Sequence, residues 1–339
     1  MIRVGIVGYG YWGPNIVRNF SKTKGVIVSA ICDLSPQKLN RAQLDYPSIS
    51  ITSDFHTLLN DSTVDAIAIA TPVSTHYDLG LAALKAGKHL FLEKPMTETS
   101  AQAKHLIEEA EKRNLTLIID HTFIYTPAVR KIRELIDGGD LGNFYFYDST
   151  RINLGNFQHD VNVIWDLAVH DLSILDYLFQ DTPLAISATG AAHVRGQPEN
   201  AAYITLFFNN NAIAHINVNW LSPIKLRHTL IGGDRKMILY DDIEVTEKVK
   251  VYDKGVDIAG DTESIYQILK GYRVGDMWAP HLASTEALSA EIEHFIDCIE
   301  KNIQPITNGA MGLRIIQLLE AASTSMLHQG APVEIKDKD

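Results

Sequence analysis

Over the first ~120 residues, short runs of Val, Ile and Ala alternate with segments whose apolar residues recur every three or four positions. The runs Ile2–Val7, Val26–Cys32, Ala66–Ala70, His89–Leu92 and Thr116–Asp120 predict strands, and Pro14–Lys22, Thr75–Ala86 and Ser100–Arg113 predict helices. Ala66–Ala70 is continuously apolar, as a strand covered on both faces must be. Gly87 sits where a helix C-terminal glycine belongs. Strands alternating with helices predict a parallel sheet wound by crossover helices.

After Asn143 the period changes to two. The runs Phe144–Asn153, Ala202–Phe208, Ala212–Asn219 and Leu226–Gly232 predict antiparallel or mixed strands of one large sheet. Val163–Phe179 and Glu286–Lys301 predict helices; the second carries Leu288, Ile292, Phe295, Ile296 and Ile299 on one stripe. The fold class expected is α/β: a Rossmann dinucleotide-binding domain over 1–122, then an α+β domain with a large open mixed sheet over 123–339. The C-terminal helices are free to pack back on the first domain. Helices can cover only one face of the second sheet, and the other carries Ile, Val, Phe and Tyr, so a homodimer or homotetramer is expected.

Composition narrows the function classes. A chain of 339 residues suits two domains, and 46% hydrophobic with 21% charged residues excludes disorder. The formal net charge of −11 argues against nucleic-acid and anionic-membrane partners, whose binding rests on Lys and Arg. Cys32 and Cys298 form no CxxC motif, which points to a reducing, cytoplasmic setting. Neither a signal peptide nor a run of ~18 apolar residues is evident, so no membrane partner is expected.

Gly8-Tyr9-Gly10-Tyr11-Trp12-Gly13 follows a strand and opens a helix, the context in which GxGxxG binds a dinucleotide. Gly8 permits the turn, Gly10 admits a pyrophosphate, and Gly13 allows close helix packing; the helix N-terminus then offers N–H groups to phosphate. Asp33 ends the second strand 20 residues after Gly13, where a carboxylate accepts from ribose hydroxyls and repels the extra phosphate of NADP. NAD is therefore the expected cofactor, ahead of NADP.

Glu93-Lys94-Pro95 and Thr71-Pro72 end strands on the side where open parallel sheets bind ligands. Taken alone, Lys94 fits a solvated turn lysine equally well. Asp166 and His170 are spaced i, i+4 on a predicted helix, so a carboxylate can orient an imidazole that serves as general base. The bland alternative is an Asp favoured by the helix dipole and a core histidine. Asp120, His121, His159 and Asp160 have no metal-site spacing, and no catalytic metal is expected.

Together these motifs resemble the Gfo/Idh/MocA oxidoreductases over essentially the whole chain. The likeness rests on the glycine motif, Ala70-Thr71-Pro72 with His76, Ala86-Gly87-Lys88-His89 leading to Glu93-Lys94-Pro95, and Asp166-Leu167-Ala168-Val169-His170-Asp171. The resemblance implies catalytic Lys94, Asp166 and His170. It implies a cofactor site of Gly8, Gly10, Tyr11, Trp12, Gly13, Asp33, Thr71, Pro72, His76, Glu93 and Lys94. Substrate contacts are expected from Lys94, Tyr125, Arg151, Asn153, Gln158 and His170. The substrate class implied is a sugar, inositol or nucleotide sugar, with nucleotide-sugar 3-dehydrogenases the most similar in feel. Ketosugar reduction, a non-carbohydrate reductase and a non-catalytic NAD sensor are the alternatives. Arg151 suits a substrate diphosphate, though a surface Arg paired with a nearby carboxylate fits equally. Two stretches depart from many relatives: Thr122-Phe123-Ile124-Tyr125 replaces an Asn-x-Arg-Phe, and the loop Asn153–Asp160 lacks a glycine pair. Both bear on substrate identity.

Overall fold

The computed structural model describes residues 1–155, 161–179, 181–256 and 272–335, and the chain forms two compact units. The first comprises Met1–Thr126 and Thr285–Gln317, the second Pro127–Ser284 and Leu318–Asp339. The division thus differs from a single cut near residue 122.

In the first unit, β1 (Ile2–Val7), β2 (Val26–Cys32), β3 (Ser50–Thr52), β4 (Ala66–Ile69), β5 (His89–Glu93) and β6 (Leu117–Asp120) form one parallel sheet. Its order is β3-β2-β1-β4-β5-β6. Strand order reverses at β1 and β4, the switch point where such sheets open a ligand crevice. The crossovers are α1 (Gly13–Lys22), α2 (Pro36–Asp45), α3 (Phe55–Asn60), α4 (His76–Lys85) and α5 (Ser100–Lys112). Local chemistry starts several of them. Ser35 caps α2 ahead of Pro36, Asp54 accepts from His56 N at the start of α3, and Thr99 with Gln102 forms a capping box on α5. Lys88, buried, donates to Asp61 O and Val64 O at 2.7 Å each and ties the start of β5 to the turn before β4.

The second unit begins with α6 (Pro127–Asp137) and β7 (Phe144–Leu154). A π-helical stretch over Ile164–Ala168 leads into α7 (Val169–Phe179). The expected helix Val163–Phe179 is therefore present but not uniformly α. Then come β8 (Ala185–Ala191), β9 (Ala201–Phe207), β10 (Ile213–Asn219), β11 (Leu221–Gly233), β12 (Met237–Asp241), β13 (Val249–Val256), β14 (Tyr272–Trp278) and β15 (Val333–Glu334). They form a sheet of order β14-β13-β12-β11-β7-β10-β9-β8-β15. It is mixed, because β10 pairs with β7 in parallel and the other pairs are antiparallel. Tyr147, Ser149 and Arg151 of β7 face α7, all three reaching Asp171. On the other face Tyr203, Phe207, Ile213 and Leu230 are all exposed by a third or more.

The chain re-enters the first unit with α8 (Ala287–Lys301) and the start of α9 (Gly309–Leu327). Phe295 of α8 packs edge-on against Phe20 of α1 and Phe91 of β5, with centroids 6.4 and 5.7 Å away. Arg18 makes two bonds to Glu286 at the head of α8, at 3.1 and 2.5 Å.

Candidate active site

At the end of β1, Gly8 has φ +97°, and a Cβ there would lie 2.3 Å from Ala70 O. A Cβ on Gly13 would lie 2.3 Å from Gly8 O. Both positions require glycine because backbone meets backbone. Gly10 differs: among the described residues beyond its chain neighbours, the one atom within 4 Å of its Cβ position is Lys38 Nζ, at 3.8 Å. That open flank beside the start of α1 is the cradle a pyrophosphate needs, so these residues fit a dinucleotide.

Asp33 is buried, with Oδ2 accepting from Tyr9 N at 2.7 Å and Oδ1 from Ser35 N at 2.8 Å. These bonds fix the carboxylate against the glycine loop. Lys38 Nζ stands 3.6 Å from Oδ2. Tyr9, unremarked in the sequence reading, is 2% exposed and donates to Asp45 Oδ2, anchoring the loop to α2. Tyr11 is 92% exposed and remains a candidate to cover a ligand. The Trp12 indole turns inward and donates to Asp120 Oδ2 at 2.8 Å.

Thr71 and Pro72 follow β4, and Thr71 Oγ1 pairs with Thr75 Oγ1 at 2.7 Å. His76 requires a correction. It is 1% exposed, with Nδ1 2.9 Å from Pro95 O and Nε2 2.8 Å from Thr71 O. Burial pulls its pKa down, with Lys94 adding to the shift, and the ring pins two strand-end turns together from inside the core. Glu93 and Lys94 are half-buried at the end of β5, and the Lys94–Pro95 bond is cis. Beside them Asp120 ends β6 and His121 follows it. Burial, aided by the Lys94 charge, pushes the His121 pKa down to about 3. Tyr125 is also corrected: it is 3% exposed and shares a 3.3 Å hydrogen bond with Thr307 Oγ1, so it belongs to the core.

In the second unit, the Trp220 indole donates to Asp166 Oδ2 at 3.0 Å. Asn162 Oδ1 accepts from Ile164 N and Trp165 N at 3.1 and 3.3 Å and caps the turn that carries Asp166. Both Asp166 and His170 are half-buried, where a side chain can meet a ligand. The π geometry beginning at Ile164 sets their spacing on the helix surface, and such stretches recur at functional sites. Arg151 is the third correction. Its guanidinium is 3% exposed as a residue and bonds Asp171 through Nε at 2.7 Å and Nη2 at 3.2 Å. It joins β7 to α7 inside the core and does not present itself to a diphosphate. Asn153 stays half-buried at the end of β7. Gln158, His159 and Asp160 lie outside the described residues. Among the described residues, no cluster of three His, Cys, Asp or Glu side chains is disposed to hold a metal.

Residues 2–121 match the family described as "Oxidoreductase family, NAD-binding Rossmann fold", and residues 129–239 match "GFO/IDH/MocA C-terminal domain". The chain is 28% identical to UDP-N-acetylglucosamine 3-dehydrogenase of Acidithiobacillus ferrooxidans, over 93% of this chain and 94% of that one. It is 23% identical to myo-inositol 2-dehydrogenase of Thermotoga maritima, over 96% of each. The solved structure of the Acidithiobacillus ferrooxidans UDP-N-acetylglucosamine 3-dehydrogenase superposes with a TM-score of 0.81 at 24% identity, covering 96% of this chain and 98% of that one.

Proposed function

Because the chain belongs to the Gfo/Idh/MocA family of NAD-binding oxidoreductases, we propose that it oxidises a secondary alcohol of a sugar or nucleotide sugar. NAD, which the Gly8–Gly13 loop and Asp33 would hold, would supply the acceptor for the hydride on the carbinol carbon. His170 takes the hydroxyl proton as the carbonyl forms. Asp166 orients the imidazole and stabilises it once protonated, and Trp220 fixes Asp166 in turn. Lys94 donates to the substrate oxygen and stabilises charge that develops there. Run backwards, the same groups reduce a ketosugar. Asn153 is the described candidate for substrate hydroxyls, with Gln158 proposed from the sequence alone.

The observation that carries this reading is the held carboxylate of Asp166 four residues before a half-buried His170. The nucleotide-sugar class is supported by the 28% identity to a UDP-N-acetylglucosamine 3-dehydrogenase along nearly the full length. Incubating the protein with NAD and a panel of nucleotide sugars, free sugars and inositols, while following NADH absorbance, tests it. NADH formation with a nucleotide sugar and loss of that activity in His170→Ala support the assignment. Turnover confined to non-carbohydrate substrates overturns it.

The apolar outer face of the large sheet, with Tyr203, Phe207, Ile213 and Leu230 open to solvent, supports assembly as a homodimer or homotetramer through that face.

A further inference from the structure

The stripe that seats α8 in the first unit contains one residue that does not belong in an apolar core. Glu291 is 0% exposed, between Leu288 and Phe295 on the buried side of the helix. As a carboxylate it finds no donor for either oxygen. The His121 N–H is already bonded to Ile119 O at 2.7 Å and offers only a weak pull. A bare carboxylate in such a place costs several kcal/mol, so it neutralises or finds a partner.

The partner in reach is itself an acid. Asp120 stands at the end of β6, 2% exposed, and its carboxyl is near enough to that of Glu291 for a proton to be shared between them. Two ionised carboxylates repel, and one proton between them turns repulsion into a charge-assisted hydrogen bond. Asp120 is the better supplied with donors. It already accepts from Trp12 Nε1 at 2.8 Å and from Thr122 Oγ1, whereas Glu291 has no comparable support. The proton therefore rests on Glu291.

The neighbours agree with that placement. Burial acts first on Glu291 and raises its pKa well above the usual range; the Asp120 charge, the Asp120 hydrogen bond and the Glu93 charge add to the shift. Asp120 and Glu93 are register partners on β6 and β5. Lys94 follows Glu93, and His121 follows Asp120 as a neutral ring. The turn Thr122–Tyr125 packs on α8 and brings the Tyr125 phenol. From α1, Arg18 is paired with Glu286 near the helix head.

We propose that Glu291 is a positioning residue of the dinucleotide site: as a buried carboxylic acid it donates to Asp120, and Asp120 thereby holds the Trp12 indole and the glycine loop. The proposal rests on the reading that this loop carries NAD. Trp12 closes the loop, and its carbonyl accepts from Asn15 N in the first turn of α1 at 2.9 Å. The backbone facing the pyrophosphate is thus tied through one indole to a proton held on α8, far along the chain.

Three measurements on the full chain test this. Infrared difference spectra in heavy water, Glu291→Gln against parent, should show loss of one protonated-carboxyl stretch near neutral pH. Direct titration should show Glu291→Ala binding NAD about tenfold more weakly, the cost of disturbing one buried charge-assisted bond. Glu291→Gln, whose amide still donates, should restore binding to within about twofold. Trp12→Phe should weaken NAD similarly, and its double variant with Glu291→Ala should cost less than the sum. Absence of the infrared band, a Glu291→Gln as damaged as Glu291→Ala, or full additivity with Trp12→Phe each overturns the proposal. If parent protein fails to bind NAD while the band is present, the reading of the loop fails and the proton assignment stands.

Discussion

Arg151 on β7 and Asp171 on α7 form a two-point ion pair with side chains 4% and 1% exposed. Ser149 Oγ also donates to the Asp171 carboxylate at 2.7 Å. The pair fastens the large sheet to the helix that carries His170. Removing one partner of a buried pair leaves an unmatched charge and costs about 3–5 kcal/mol. Arg151→Ala should therefore lower the denaturation midpoint sharply, while protein that remains folded keeps its Michaelis constant for substrate. Arg151→Met with Asp171→Leu should recover most of the stability. A raised Michaelis constant with unchanged stability would show that Arg151 meets substrate after all.

Cofactor choice depends on two residues, not one. The buried Asp33 carboxylate disfavours a ribose phosphate, but Lys38 Nζ at 3.6 Å offsets part of that repulsion. Parent protein should bind NAD more tightly than NADP. Lys38→Ala should widen the gap about fivefold, the worth of one charge at such a distance in water. Asp33→Ser should narrow it. Equal dissociation constants for NAD and NADP in the parent would reject the role given to Asp33.

His170→Ala should lower kcat by roughly 10²–10⁴, the usual contribution of a positioned base, with little change in NAD affinity. Trp220→Phe keeps the ring but removes the N–H that holds Asp166 at 3.0 Å. It should reduce kcat about tenfold while leaving the Michaelis constant nearly unchanged, as expected for one lost hydrogen bond felt in the transition state. Steady-state kinetics on both variants checks the assignment, and near-parental turnover in His170→Ala sinks it.

His121 is neutral in the folded chain down to about pH 3, against an ordinary value of 6.5. The unfolded chain takes up that proton first, so stability is present above pH 6.5 and drains as pH falls towards 3. His76 is shifted in the same direction and adds to the slope. In His121→Phe the acid-side loss should be shallower by up to one proton, measured as denaturation midpoint against pH. An unchanged slope would mean that His121 is accessible to protons while folded.

Lysine at Tyr203 or Leu230 places charge on the exposed face of the large sheet without touching the side that packs on α7. Light scattering at micromolar concentration should show a dimer or tetramer for the parent and smaller species for Tyr203→Lys with Leu230→Lys. A monomeric parent would remove the assembly proposal.

Five of the six parallel strands were legible because each is a dense apolar run: β1 and β2 have the expected limits. The stretch from Leu34 to Asp65 escaped because β3 has three residues and α2 and α3 are short and largely polar. Little period survives in segments so brief. The start of β11 escaped because its register shifts between Leu221 and Leu226, around Pro223. Within the site, glycine roles follow from backbone sterics and could be read directly. His76, Tyr125 and Arg151 were misplaced because sequence shows that a polar residue lies near a strand end, but not which way it points. Glu291 had a signal: it sits on the stripe of Leu288, Ile292 and Phe295, where a solvated glutamate has no place. Trp220 and Asp171 gave none, since their partners lie 54 and 20 residues away.

Phe295, wedged against Phe20 and Phe91, bears on how the chain is made as well as how it is held. Synthesis delivers the six parallel strands first, yet the ring that completes their aromatic cluster arrives some 200 residues after Phe91. Until α8 leaves the ribosome, the nascent nucleotide-binding sheet has an apolar flank open to water and an incomplete core. Contacts so distant in sequence form slowly, and the half-built sheet is the species most exposed to aggregation and to chaperones. The second unit is threaded into that interval, so the cofactor fold is finished only after residues 127–284 have been made.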